Sequence, residues 1–218
     1  MTIDFGARTL EAREINEKSW AIVRSIVKGA TLEDRIRQRC VIATGDPAFS
    51  DLMRFNNTPI KAGIEAVKKG AIIFTDIRMA QVGITKRGHN CDVRCALDAG
   101  DEIAQKNGVT RTSAGFMALE KELDGAIIVI GNAPSAALTV CRMIDRGLKP
   151  ALLVATPVGF VNAAESKELV RTLNVPSITC MGTRGGTPVA VAVVNELVEI
   201  SAYQNCLNIR KESVSYTL

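Results

Sequence analysis

Apolar positions recur along this chain in two rhythms, and the change of rhythm divides it. Over residues 8–28 they fall at helical spacing, with Ile15, Ile22 and Ile26 on one stripe and Trp20, Val23 and Val27 beside it. This predicts an amphipathic helix, with Ser19 set within the first stripe. A second helix is predicted to open at Thr31, whose hydroxyl can cap the turn while Asp34 favours the helix's positive end. Arg39 and Ile42 then lie on one face, and Gly45-Asp46-Pro47 breaks the pattern.

Beyond that break, short continuous apolar runs alternate with longer helical stretches. AIIFT (71–75), AIIVI (126–130), ALLVA (151–155) and SITCM (177–181) have strand length and the look of strands buried on both faces. Helical segments are predicted over about 58–68, 98–107, 113–122, 134–146, 162–172 and 188–200. Parallel neighbours need crossovers, so the alternation implies an α/β fold with a mostly parallel sheet flanked by helices. One domain over residues 1–218 is expected, with no internal repeat or long linker. From about Ser201 the tail is polar, and it is expected to fray or to pack on a partner subunit.

Composition and charge then remove several classes of function. The 218 residues are 47% hydrophobic, 23% charged and 4% aromatic, a globular balance that argues against disorder and against an aromatic platform for single strands. Net charge is +4 and the cations are interleaved with acids, so no basic block marks a nucleic-acid footprint. No run approaches ~18 consecutive apolar residues, and the opening MTIDFGARTLEAREINEK lacks a signal peptide's apolar core. A cytoplasmic protein with no membrane contact is expected. The six cysteines are irregularly spaced and are expected to be reduced thiols.

Candidate chemistry lies just past the predicted strands, where ligands bind in open α/β sheets. There the chain reads Gly131-Asn132-Ala133-Pro134-Ser135, then Thr156-Pro157-Val158-Gly159-Phe160-Val161-Asn162, and finally Gly182-Thr183-Arg184-Gly185-Gly186-Thr187. Free N–H groups at helix starts, small residues and the cations Lys167 and Arg184 describe a receptor for an anionic small molecule. Glycines that merely turn the chain are the plain alternative at each single turn. Neither G-x-G-x-x-G nor G-x-x-x-x-G-K-[ST] is present, which argues against NAD and ATP. A single histidine and the absence of a G-x-S-x-G elbow argue against a Ser-His-acid hydrolase. His89, Cys91 and Cys95 form a metal-like cluster that lacks a fourth ligand, so no metal is expected.

At these turns the chain closely resembles the precorrin-8X methylmutase family of cobalamin biosynthesis. The resemblance is carried by KSWAIVR (18–24), DIRMAQVGITK (76–86), TRTSAG (110–115), IGNAPSAAL (130–138), PVGFVNAAESK (157–167) and RGGTPVAVAVVNEL (184–197). It implies a homodimeric isomerase that moves a methyl group from C-11 to C-12 of a corrinoid ring, giving hydrobyrinate or its cobalt form, with no cofactor. By motif position it further implies that Ser19, Arg39, Thr85 and Arg111 are polar residues of the substrate pocket. Gly131-Asn132, Gly159-Phe160, Ser166-Lys167 and Gly185-Gly186 would line that pocket.

The resemblance breaks at one position. Where the family pattern R-x-[IV]-H places a histidine, this chain has Arg39-Cys40-Val41-Ile42. The family imidazole is taken to protonate a ring nitrogen, a role isoleucine cannot perform. His89 and Asp46 are the candidate substitute acids, and His89 is the catalytic candidate. The alternative reading is a homologue that binds hydrobyrinate or a related tetrapyrrole as a carrier.

Overall fold

The computed structural model describes the backbone of residues 9–215 and the side chains of residues 9–204. Two helices lead the chain, α1 (Leu10–Ile26) and α2 (Leu32–Thr44). Thr31 and Asp34 form a reciprocal capping box at the start of α2, satisfying two otherwise orphaned donors, and Gly45 ends the helix in the left-handed conformation. Of the two stripes on α1, Trp20, Val23 and Val27 turn inward, while Ile15, Ile22 and Ile26 stay exposed. The Gln38 amide donates to the Val27 carbonyl and fastens the end of α1 to α2.

A short helix α3 (Phe49–Leu52) precedes β1 (Met53–Asn56), and α4 (Pro59–Lys68) leads to β2 (Ile73–Thr75). Then follow α5 (Arg78–Gly83), β3 (Val93–Cys95), α6 (Asp101–Asn107), α7 (Arg111–Ala118) and β4 (Ile127–Ile130). The chain continues through α8 (Pro134–Asp145), β5 (Leu152–Ala155), α9 (Ala163–Thr172), β6 (Ser177–Cys180) and α10 (Thr187–Ser215). The six strands make one sheet in the order β1-β6-β5-β4-β2-β3, parallel except for β1, which runs antiparallel to β6. This is one α/β domain of the predicted class.

The central strands are covered on both faces, so successive residues serve two cores. Ile73, Ile127, Val129, Leu152, Val154, Ile178 and Cys180 pack beneath α2, α4 and α10. Phe74, Ile128, Ile130, Leu153 and Ala155 pack against α7, α8 and α9. That double burial is why these strands read as unbroken apolar runs. The edge strands β1 and β3 were not predicted, because each is short and alternates polar with apolar residues, Met53-Arg54-Phe55-Asn56 and Val93-Arg94-Cys95. α10 runs from Thr187 through Ser201 to Ser215, and its first half packs on α2 and α4. Among the described residues no helix is long and apolar enough to cross a membrane. Cys40, Cys91, Cys95, Cys141 and Cys180 are free thiols, and Cys206 lies outside the described side chains.

Candidate active site

The sheet order fixes where a ligand crevice can open. From β2 the chain steps outward to β3, then returns past β2 to β4 and proceeds to β5 and β6. Connections therefore diverge from the carboxyl ends of β2 and β4, the switch point at which open α/β sheets bind ligands. Asp76 follows β2 and fills this point. Its Oδ2 accepts the N–H groups of Asn132 (2.7 Å) and Ala133 (2.9 Å), the first amides before α8. The donors expected to await a ligand at α8 are thus taken by the protein's own carboxylate. Asp76 is fully buried, its Oδ1 has no partner, and burial raises its pKa against the lowering effect of the backbone N–H bonds. Sequence reasoning passed over Asp76, although a carboxylate directly after an apolar run was the available signal.

Close approach of backbone explains two of the glycines. A Cβ on Gly131 would stand 2.7 Å from the Thr187 Cα, so the end of β4 touches the start of α10 only without a side chain. Gly185, at φ +153°, would place a Cβ 2.3 Å from the Thr156 carbonyl oxygen, while the next N–H, of Gly186, donates to that oxygen at 2.7 Å. The Gly159 N–H donates to the Thr183 carbonyl, joining the turn after β5 to the turn after β6. Phe160 stands 94% exposed on this rim, flanked by exposed Val158 and Val161. Asn162 enters α9 in the left-handed conformation with no side-chain cap on the helix start, so the open N–H groups expected at a helix start are found here.

Lys167 does not face this opening as a free cation. It is 0% exposed, and its Nζ donates to the Arg184 carbonyl at 2.5 Å with the Cys180 Sγ at 3.6 Å. Burial holds its pKa below the usual lysine value. Ser166 is likewise buried and donates to the Ala163 carbonyl. Both side chains shape the turn rather than project from it. Arg184, in contrast, is exposed and pairs with Asp46 (3.2 Å) at the end of α2. Arg111 opens α7 at the same rim, where Thr110 and Ser135 share a hydroxyl hydrogen bond (2.8 Å), and it meets exposed Asp101 at 3.4 Å.

On α2, Arg35, Arg39 and Ile42 follow one another at helical spacing, and Asp46 lies just past the Gly45 stop. Buried Glu196 of α10 pairs with Arg35 at 2.7 Å and also feels the charge of Arg39; burial raises its pKa and the two arginines lower it. Ile42 is half-buried against the core shared with α10.

The remaining predicted residues lie elsewhere. The Ser19 hydroxyl donates to the Ile15 carbonyl within α1. The Thr85 N–H donates to Asn195 Oδ1, eight residues and thus about 12 Å beyond the start of α10. The His89 ring is a loop brace: Nε2 meets the Thr85 carbonyl and Nδ1 accepts the Cys91 N–H, which fits the neutral tautomer with the proton on Nε2. Among the described residues, no group of three or more His, Cys, Asp or Glu side chains is arranged to hold a metal ion. One chain therefore gathers Asn132, Gly159, Phe160, Lys167, Gly185 and Arg111 around the carboxyl edge, but not Ser19, Thr85 or His89.

The family profile described as precorrin-8X methylmutase matches residues 14–200, taking in both this rim and α1. The chain belongs to the precorrin-8X methylmutase family. Among relatives of this methylmutase is a cobalt-precorrin-8 methylmutase of Methanocaldococcus jannaschii, 40% identical over 206 residues that cover 88% of this chain and 96% of the relative. A precorrin-8X methylmutase of Pseudomonas aeruginosa is 34% identical, covering 86% and 95%. The crystal structure of precorrin-8X methylmutase from Thermus thermophilus superposes with a TM-score of 0.82 at 32% identity, covering 88% of this chain and 97% of that one.

Proposed function

We propose that this methylmutase moves a methyl group from C-11 to C-12 of precorrin-8X or its cobalt form, in the crevice at the carboxyl edge of the sheet. The observation that carries the reading is the family match over residues 14–200 together with the close-packed turns at Gly131 and Gly185. The reaction is an isomerisation: one carbon–carbon bond breaks, one forms, and nothing enters or leaves. It needs no cofactor, and positioning supplies most of what this chain contributes. The substrate's carboxylate arms suit Arg111, Arg184 and the uncapped start of α9.

Two copies complete the pocket. The exposed stripe Ile15, Ile22 and Ile26 carries Ser19 within it, at the spacing of a helix-packing seam. Docked on a partner's rim, that stripe would bring Ser19 to a ligand which one chain leaves out of its reach. The dimer acts in the cytoplasm, on a small corrinoid, with neither nucleic acid nor membrane as partner.

Proton supply is the altered part. Ile42 carries no proton, Asp46 is held by Arg184 and accepts the Ala48 N–H, and both His89 nitrogens are engaged. The isomerisation therefore proceeds by positioning and electrostatics, without the family's imidazole acid. Ile42 also favours a second reading, a carrier that binds hydrobyrinate without turnover. Incubating the purified protein with precorrin-8X and with its cobalt form, and following the absorption change to hydrobyrinate, separates the two. Conversion establishes the enzyme, and tight binding without conversion establishes the carrier. Absence of binding refutes both.

A further inference from the structure

The loop between α5 and β3 builds a second feature at the opposite edge of the sheet. A cavity of about 510 Å³ opens there, lined by Lys68 of α4, Lys86, Arg87, His89 and Asn90 of the loop, and Ser201 of α10. Ser201 lies 14 residues beyond Thr187, about 21 Å along α10 from the carboxyl-edge crevice. Among the described residues no carboxylate lines this cavity. Many other cations of the protein are matched: Arg35, Arg37, Arg78, Arg94, Arg111, Arg146, Arg171 and Arg184 each pair with an acid. Lys86 and Arg87 pair with none among the described residues, and Lys68 meets only the Gln204 amide oxygen, at 2.9 Å.

The loop that presents these charges is tied down. The Thr85 N–H donates to Asn195 Oδ1 (2.9 Å), the Asn195 amide donates to the Gly83 carbonyl (3.0 Å), and the Arg87 N–H donates to Thr85 Oγ1 (3.2 Å). His89 closes the loop through Thr85 and Cys91, so its ring is a wall of the cavity. Three exposed like charges around one hollow repel one another, and a counter-charge between them relieves the repulsion. A cleft of one sign also concentrates ligands of the other. Holding the loop backbone that carries Lys86 and Arg87 in advance lowers part of the ordering cost of binding.

From this juxtaposition we infer a second binding site, formed by Lys68, Lys86 and Arg87, for a small oxyanion carrying carboxylate or phosphate groups. The ligand is either a free metabolite-sized anion or a carboxylate arm of a corrinoid. Both offer the same chemistry to guanidinium and ammonium donors.

The test is calorimetric titration with citrate and with inorganic phosphate at constant ionic strength, on the parent and on K86E/R87E. A K121E/K149E protein, with the same change in net charge at residues outside the cavity, is the control. The parent binds at least one probe saturably, K86E/R87E weakens it at least tenfold, and the control stays within twofold. A corrinoid titration in the same proteins identifies the source. A parallel loss of corrinoid affinity assigns the site to a carboxylate arm, and unchanged corrinoid affinity assigns it to a free anion. No saturable binding to the parent, or an equal loss in the control, overturns the inference. Because no turnover is measured, failure here is distinct from failure of the proposed isomerisation.

Discussion

Lys167 offers a perturbation in which stability and function are expected to separate. Its ammonium is wholly buried, with the Arg184 carbonyl as its principal acceptor and no carboxylate partner among the described residues. Lys167→Met keeps most of the stem and removes the charge. The lost charge-assisted hydrogen bond costs about 1.5–3 kcal/mol. Against this, exchanging buried ionic groups for apolar ones of similar volume can return roughly 1–4 kcal/mol. The Arg184 carbonyl is not orphaned, since the Cys180 thiol also donates to it at 3.2 Å. The two contributions nearly cancel, so the melting temperature should move by less than about 5 °C at about 2–4 °C per kcal/mol. Lys167→Ala, by contrast, removes three methylenes at about 0.8 kcal/mol each, a fall of roughly 5–10 °C before any cavity cost.

Function should respond differently. The Lys167–Arg184 bond is the tie between α9 and the turn after β6, and a misplacement of about 1 Å in such a turn can cost up to about 100-fold in rate. Lys167→Met should therefore slow conversion by about 10- to 100-fold and speed tryptic cleavage after exposed Arg184. Differential scanning fluorimetry, a conversion assay and timed trypsin digestion together read all three effects. Unchanged conversion with unchanged cleavage would mean that the lysine only fills space. A weakened corrinoid affinity with unchanged cleavage would mean that it touches the ligand after all.

Three further outcomes are expected. Gly131→Ala should cost about 1–3 kcal/mol, because its Cβ meets backbone at 2.7 Å and overpacking there displaces the start of α10; a melting temperature equal to the parent's would show that the two elements separate freely. Asp76 has its folded pKa raised above the ordinary 3.8, so the stability it contributes is present at low pH and lost as pH rises through the folded value. Asp76→Asn has no proton to lose and should gain on the parent as pH rises above about 4, while a difference in melting temperature that stays constant as pH rises contradicts the assigned cause. Ile42→His should raise turnover, up to about 10²–10⁴-fold for a well-placed general acid, less if burial among core neighbours depresses its pKa. Normal corrinoid binding with no gain in conversion would show that the pocket lacks more than a proton donor, and lost activity in His89→Ala would make that brace the acid.

Local chemistry made much of this protein legible in its sequence. The Thr31–Asp34 box, the Gly45 stop and the four central strands depend on neighbours in the chain or on complete burial, and both leave a mark in residue type. The long motifs at the turns, read together, likewise pointed to the family. The edge strands were hidden because half-covered strands of three or four residues lack a continuous apolar run. What only the tertiary structure decided is which polar groups meet. The bond from Lys167 to the Arg184 carbonyl, the cap that Asp76 places on the amides before α8, and the pairing of Arg184 with Asp46 each join segments far apart in sequence. Whether a lysine in a motif is an exposed cation or a buried tie depends on the packing around it, and a linear pattern records the residue but not what the fold packs against it.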